Sequence, residues 1–132
     1  MTPRLTLPPT HRIRRTADFA RAYREGSRAR GSVLVVVARP NGLEHPRVGL
    51  SVGRAIWRSA VRRNRLKRIL REAFRLEQRA LPAGFDLVLI PAAPKLEADL
   101  ASARSELVRL ARQAARRAEE RRAGERRTPA AD

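Results

Sequence analysis

A stretch rich in arginine and lysine, from Ser59 to Arg75, is the part of the sequence best suited to bind a charged ligand. Glu72 is its only acidic residue and neither glycine nor proline interrupts it, so it can form one continuous helix capped by Ser59. At about 100° per residue, apolar and polar side chains fall on adjoining arcs of that helix, so one side can pack while the other binds an anion. The apolar arc holds Leu66, Ile69, Leu70, Ala73 and Phe74, and the polar arc holds Arg63, Asn64, Lys67, Arg68, Arg71 and Arg75.

A basic helix face can also be no more than a solvated surface. Ordinary solvated faces mix signs, because acids and bases four residues apart stabilise each other and like charges repel. The polar arc contains no acid, and the whole chain is strongly basic, with 30 Lys and Arg, 13 Asp and Glu and a net charge of +17. We therefore expect a nucleic acid to neutralise this face.

The remaining residues offer little material for catalysis by the protein itself. The two histidines, His11 and His45, have no evident acid to orient them, and the glycines match no phosphate-binding loop. The chain contains no cysteine, and its acids are scattered rather than clustered as metal ligands. The sequence therefore predicts binding without a protein active site or a protein-held metal. No apolar run reaches the roughly 18 residues of a membrane span, so we expect a cytoplasmic protein with no membrane partner.

The segments around the basic helix predict one α+β domain, since 132 residues suffice for a single modest core. Apolar periodicity and turn residues indicate three helices and three strands. We expect the first two strands to form an antiparallel hairpin and the third to be central in the sheet. The predicted helices are Asp18–Glu25, Ser59–Gln78 and Leu96–Ala118, and the predicted strands are Ser32–Ala38, Arg47–Val52 and Phe85–Ile90.

The two ends of the chain are expected to lie outside this domain, which we place at residues 12–115. Residues 1–11 are rich in proline and predict an extended arm. Residues 116–132 are charged and carry glycine and proline without apolar periodicity, so they predict a disordered basic tail.

Two aromatic features leave alternatives open. Phe19 and Tyr23 share one face of the first helix, which favours burial, although an exposed pair can instead stack on unpaired bases. Trp57 precedes the basic helix, where a lone tryptophan is more often an anchor against the core than a stacking platform.

The basic helix resembles the Arg-Asn-Arg signature helix of the bacterial ribonuclease P protein subunit. The match is specific because the basic residues stand in a fixed register with the packing residues. Two further segments, both before the helix, stand in the same order along the chain as in the family. The resemblance covers roughly residues 12–115. Its landmarks are Arg63-Asn64-Arg65, Lys67-Arg68 and Arg71 in the helix, Asp18–Gly26 as the family's first helix, and Arg47–Val52 as its signature strand.

The resemblance implies an α/β sandwich of the α+β class, with three helices and a mixed, mostly antiparallel sheet of about four strands. The signature helix would lie in a left-handed βαβ crossover, against the general right-handed rule. The family's role implies a partner, a catalytic ribonuclease P RNA that removes the 5′ leader of precursor tRNA, with Mg²⁺ held mainly by that RNA. No obligate protein partner is implied. The alternative is a ribosomal or architectural RNA-binding protein, which the charge alone would also support.

The resemblance also implies roles for individual residues. An unpaired leader exposes base faces on which Phe and Tyr can stack without a strong sequence preference. The chain departs from the family at Val37, where an aromatic can occur, and in the loop before the helix, where Trp57 is inserted and Arg58 replaces a small residue. The implied contacts with the RNA subunit are Arg63, Asn64, Arg65, Lys67, Arg68 and Arg71, and the implied lining of the leader cleft is Phe19, Tyr23, Val35 and Val37.

Overall fold

The computed structural model describes residues 6–127, which form one four-stranded mixed sheet with helices on both faces. Short 3-10 turns precede the first helix and follow the second. The strands are β1 (Ser27–Arg30), β2 (Leu34–Pro40), β3 (Arg47–Leu50) and β4 (Phe85–Pro91), the helices are α1 (Thr16–Glu25), α2 (Ala60–Glu77) and α3 (Leu100–Arg127), and the 3-10 turns are Pro9–His11 and Gln78–Ala80.

The strands lie in the order β1-β2-β4-β3. Strand β2 is antiparallel to both β1 and β4, whereas β3 is parallel to β4. Helix α2 is therefore the crossover between two parallel neighbours, and β4 is central as predicted. The left-handed sense of this crossover stays a prediction.

The predicted hairpin between β2 and β3 is wrong, because both strands pair with β4 instead of with each other. The segment that joins them is attached to β4 at both ends. Asn41 donates its backbone N–H to the carbonyl of Gly84 at 2.8 Å, and the Arg47 guanidinium pairs with the buried Asp86 carboxylate at 2.6 Å. These bonds direct each strand to a different side of β4.

The main core lies between one sheet face and helices α2 and α3. Alternate residues of β2 and β4 belong to this core, and so does the predicted apolar arc of α2, which packs against α3 and β3. Four of the five predicted residues of that arc are buried and Ile69 is half-buried, which confirms the period of the helix. The buried residues of the three elements are Leu34, Val36 and Ala38 in β2, Phe85, Leu87 and Leu89 in β4, and Leu66, Leu70, Ala73 and Phe74 in α2.

Helix α3 begins and ends later than predicted. Asp99 caps its start by accepting the backbone N–H of Ser102 at 2.7 Å, which holds the pKa of Asp99 below its ordinary value. The helix continues to Arg127, so the predicted disorder from Arg116 is wrong over this part. Alanine is a strong helix former, and Ala118 extends the buried stripe of the helix. Residues 1–5 and 128–132 lie outside the described part, and residues 9–11 form a 3-10 turn where the arm was predicted to be extended.

Strand β1 was missed by the sequence because Ser-Arg-Ala-Arg has little intrinsic preference for a strand. Glu106 of α3 holds the turn that joins β1 to β2. Its carboxylate accepts the Ser32 hydroxyl at 2.5 Å and the backbone N–H groups of Val33 and Leu34 at 3.0 and 3.2 Å. A Cβ on Gly31 would lie 2.1 Å from a carboxylate oxygen of Glu106, so a side chain there would displace the carboxylate from the turn.

Burial alone would raise the pKa of Glu106, but the hydrogen bonds from Ser32, Val33 and Leu34 outweigh it and hold the pKa below its ordinary value. A lowered pKa stabilises the fold above the pKa of the unfolded chain, and that stabilisation is lost as the pH falls through the folded value. We expect Glu106→Gln to lower the free energy of unfolding by about 1–3 kcal/mol at pH 7, and by less near pH 3. Denaturant unfolding at both pH values measures this. Glu120→Gln, an exposed control on the same helix, should have little effect, and an equal loss in both variants would contradict the role of Glu106.

Candidate nucleic-acid interface

The basic side of α2 faces solvent. The Ser59 hydroxyl accepts the backbone N–H of Arg62 at 3.3 Å, which confirms the predicted cap and fixes where the helix begins. Within the described residues, five of the six implied RNA-contacting side chains make no hydrogen bond or ion pair. Asn64, Arg65, Arg68 and Arg71 are exposed and Lys67 is half-buried. By contrast Arg75, from the same predicted arc, pairs with Glu72.

Arg63 differs from these five side chains. It is half-buried, and its guanidinium donates to the carbonyls of Trp57 and Arg58 at 2.9 and 2.8 Å. The residue therefore ties the start of α2 to the preceding loop. The sequence placed it with the RNA-facing side chains, and the helical period alone could not reveal that the loop folds back onto it.

Trp57 is an anchor, in agreement with the favoured interpretation. Its indole N–H donates to the carbonyl of Leu96 at 2.8 Å, and its ring packs against the main core. The Arg62 guanidinium lies 4.6 Å from the ring centroid on the other side and also pairs with Glu97 at 3.4 Å. Trp57 thus fixes the loop to the segment before α3.

A groove connects the basic side of α2 with the first helix. Four cationic side chains surround an apolar floor, to which the ring of Phe19 contributes. Phe19 approaches β3 closely because Gly49 has no side chain there, and an added Cβ would lie 2.8 Å from the ring. The segment before α1 lies alongside β3, since Ile13 donates its N–H to the carbonyl of Val48 at 2.8 Å. The lining residues are Arg12, Ile13, Arg14, Phe19, Val48, Leu50, Lys67 and Arg71.

Several of these lining residues were not predicted from the sequence to belong to a site. Arg12 and Arg14 stand in a basic segment without a recognisable motif, and Leu50 looks like an ordinary strand residue. The groove assembles only because a parallel bridge joins Arg12 to Val48 beside the crossover helix. No local pattern in the sequence carries that information.

The two aromatic residues of α1 differ: Phe19 fits the interpretation of burial in the core, and Tyr23 fits that of an exposed ring. Phe19 is half-buried and packs against the smaller core on the second sheet face, whereas Tyr23 is 37% exposed. Their ring centroids are 6.5 Å apart, and the Arg28 guanidinium lies 6.0 Å from the Tyr23 centroid. Phe19 thus belongs partly to the core, and Tyr23 presents a ring to solvent.

The sheet beside this pair carries the two valines that were predicted to line the leader cleft. Val35 is half-buried and lies in register between Arg30 of β1 and Ile90 of β4. Val37 is different, because it is completely buried in the smaller core with Ala22. The implied place of Val37 in the cleft lining is therefore corrected: α1 covers it. Ile90 and Arg30 are the neighbours of Val35 that the sequence did not point to.

The two histidines lie together, with ring centroids 3.8 Å apart. Burial, and then the neighbouring His45, lower the pKa of His11. Among the described residues, no three His, Cys, Asp or Glu side chains are grouped so that they could hold a metal ion. No helix within residues 6–127 has the length and hydrophobicity required to cross a bilayer.

The Ribonuclease P family model matches residues 7–115. The chain belongs to this family. A ribonuclease P protein component from Methylococcus capsulatus is 46% identical over 74 residues, which is 56% of this chain and 58% of that protein. One from Pseudomonas putida is 52% identical over 60 residues, 46% of this chain and 44% of that protein. These two matches therefore cover less than two thirds of their relatives.

Solved structures of ribonuclease P proteins share the fold. The Thermotoga maritima protein aligns with a TM-score of 0.69 at 36% identity, covering 77% of this chain and 96% of that one. The Staphylococcus aureus protein aligns with a TM-score of 0.68 at 28% identity, covering 79% and 94%. The family assignment and the α+β fold with three helices and a four-stranded sheet are confirmed.

We expect Arg63→Ala to lower the free energy of unfolding by about 1–3 kcal/mol, because two loop carbonyls lose a charged donor. Arg68→Ala removes the same charge from an exposed side chain and should change stability by about 0.5 kcal/mol or less. Thermal and denaturant unfolding of both variants measure the difference. If the two variants are equally stable, Arg63 does not hold the loop.

Proposed function

We propose that this chain is the RNA-binding protein subunit of ribonuclease P, which assists a catalytic RNA in removing the 5′ leader of precursor tRNA. One observation carries the proposal: the unpaired cations of α2 continue through the groove at Lys67 and Arg71 to the aromatic pair on α1. This surface combines a region for phosphates with a region for unpaired bases. A protein that holds a folded RNA and a single-stranded leader side by side requires both.

The exposed side of α2 is assigned to the RNA subunit. Within the described residues, Asn64, Arg65, Lys67, Arg68 and Arg71 have no acidic partner, so the like charges among them repel by a few tenths of a kcal/mol for each close pair. RNA phosphates would relieve that repulsion and release counterions on binding. Arginine adds paired hydrogen bonds to phosphate oxygens, whereas Lys67 acts as a point charge at the rim of the groove. Arg63 supports this surface by holding the loop.

The cleft beside α1 is assigned to the leader. Tyr23 offers an exposed ring for base stacking, and Val35 and Ile90 offer an apolar floor. Arg28 is exposed on the neighbouring strand beside Tyr23 and is assigned to the leader backbone, whereas the Arg30 guanidinium donates to the carbonyl of Ala92 at 2.7 Å. Stacking and phosphate contacts tolerate many sequences, as the processing of different precursors requires.

Hydrolysis is assigned to the RNA. The side chains of the described residues do not fit a protein-held Mg²⁺, so we place Mg²⁺ on the RNA and give the protein no step in bond cleavage. The protein positions the two RNAs and offsets the repulsion between their phosphates. We place this activity in the cytoplasm, where precursor tRNA is made, without an obligate protein partner. A ribosomal or architectural role would account for the charge but not for the family match.

Reconstitution tests the proposal. Adding the chain to a bacterial ribonuclease P RNA should restore cleavage of precursor tRNA at an Mg²⁺ concentration too low for the RNA alone. Arg68→Ala combined with Arg71→Ala should require a higher protein concentration for the same rate, because two exposed cations of α2 are lost. Arg109→Ala combined with Arg116→Ala removes equal charge from the solvent side of α3 and is the matched control. The absence of any stimulation by the wild-type chain would refute the proposed function.

A further inference from the structure

The C-terminal part of α3, residues 116–127, extends beyond the segment that the family model matches. It is docked on the rest of the protein. Ala118 is 3% exposed and belongs to the main core, one turn after the buried Ala114 and Ala115. The extension therefore has a fixed position, for which the proposed function gives no reason.

Two arginines of the extension bind backbone carbonyls in the elements that flank the leader cleft. Arg117 donates to the carbonyl of Arg28 in β1 at 2.5 Å, and Arg121 donates to the carbonyl of Glu25 at 3.2 Å. Within the described sheet β1 is an edge strand, so Arg117 caps a group that no further strand pairs. Glu25 ends α1, where carbonyls lack a helical partner and a cation complements the helix dipole.

These bonds hold both partners of one contact in the cleft. Tyr23 lies on α1 and Arg28 lies on β1, with the Arg28 guanidinium 6.0 Å from the ring centroid of Tyr23. Helix α1 needs such support, because Ala22 is its only fully buried residue. A third bond, from Arg39 of β2 to the Glu25 side chain at 2.7 Å, attaches the end of α1 to the sheet.

Direct binding of phosphate is the competing role for these arginines. Up to residue 125, the exposed charged side chains of the extension include nearly as many acids as bases. The basic side of α2 has no such balance. Arg121 also pairs with Glu125 at 3.4 Å. The guanidinium groups of Arg117 and Arg121 are engaged with protein acceptors, which favours a structural connection to the cleft. The exposed cations are Arg116, Arg117, Arg121 and Arg122, and the exposed acids are Glu119, Glu120 and Glu125.

We propose that residues 117–125 act as a brace that positions Tyr23 and Arg28 for the unpaired leader, with Arg117 and Arg121 as positioning residues. This inference rests on the proposed function of the cleft. The brace lies outside the residues that the family model matches.

The test uses the full chain reconstituted with a bacterial ribonuclease P RNA, and compares the dissociation constants for precursor tRNA and mature tRNA. Arg117→Ala combined with Arg121→Ala should weaken precursor binding about fivefold, part of the range for one stacked base, and leave binding of mature tRNA unchanged. Arg109→Ala combined with Arg116→Ala removes the same charge from the solvent side of α3 and should preserve the preference for precursor. A precursor affinity equal to that of wild type in the first variant would overturn the brace.

A double-mutant cycle with Tyr23→Ala separates a brace from direct contact. If Arg117 and Arg121 act through Tyr23, their loss should add little once Tyr23 is removed. Fully additive losses would overturn the proposal, and so would an equal weakening of precursor and mature tRNA binding. Replacing both arginines by lysine keeps a donor for each carbonyl and should restore most of the preference.

Arg121→Ala alone is the second variant in case the double substitution prevents folding. It leaves Arg117 in place and should weaken precursor binding about twofold, as expected for one partly exposed hydrogen bond. If the proposed function itself is wrong, the wild-type complex will show no preference for precursor over mature tRNA. In that case the brace fails with it. If only the brace is wrong, the wild-type complex will show that preference and the double variant will keep it.

Discussion

The apolar packing of α2 on the sheet is the interaction on which the rest of the surface depends. Leu66, Leu70 and Phe74 are buried in the main core, where α2 packs against α3 and β3, and this fixes the rotation of the helix about its axis. This rotation places Asn64, Arg68 and the neighbouring cations on the solvent side of the helix. Burial of a few large side chains, each contributing about 1.5–3 kcal/mol, thus holds a set of like charges that would otherwise separate.

The position of α2 also sets the geometry of the groove. The helix connects β3 to β4 as parallel neighbours, so its basic side lies next to the strand that receives Phe19 and the segment before α1. Gly49 permits the close approach of the Phe19 ring. A continuous surface from the basic side of α2 to the aromatic pair follows from this topology and not from any single motif.

The sequence was informative where structure is set locally. The bounds of α2 followed from its period and the Ser59 cap, and β4 followed from a short apolar run between turn residues. It failed where pairing is set by distant residues. Strand β1 depends on β2 and on Glu106, which lies more than 70 residues away in the chain, and β3 is directed to β4 by the Arg47–Asp86 pair. These contacts have no local signature.

In the predicted site, too, local features could be predicted and features set by packing could not. The cations of α2 could be identified from spacing, but the engagement of Arg63 with the loop and the burial of Val37 beneath α1 depend on how the elements pack. Residues 116–127 were predicted to be a disordered tail because Ala118 is their buried residue, and alanine contributes little to an apolar pattern.

The most direct test of whether the basic side of α2 binds RNA phosphates is the salt dependence of binding to a bacterial ribonuclease P RNA. If the free side of α2 meets RNA phosphates, the slope of log affinity against log salt should fall by about 0.7–0.9 for each contact removed. Lys67→Ala and Arg68→Ala should therefore each lower the slope by about one contact, while Arg116→Ala on α3 leaves it unchanged. Slopes in the two α2 variants equal to that of the wild-type chain would contradict the account.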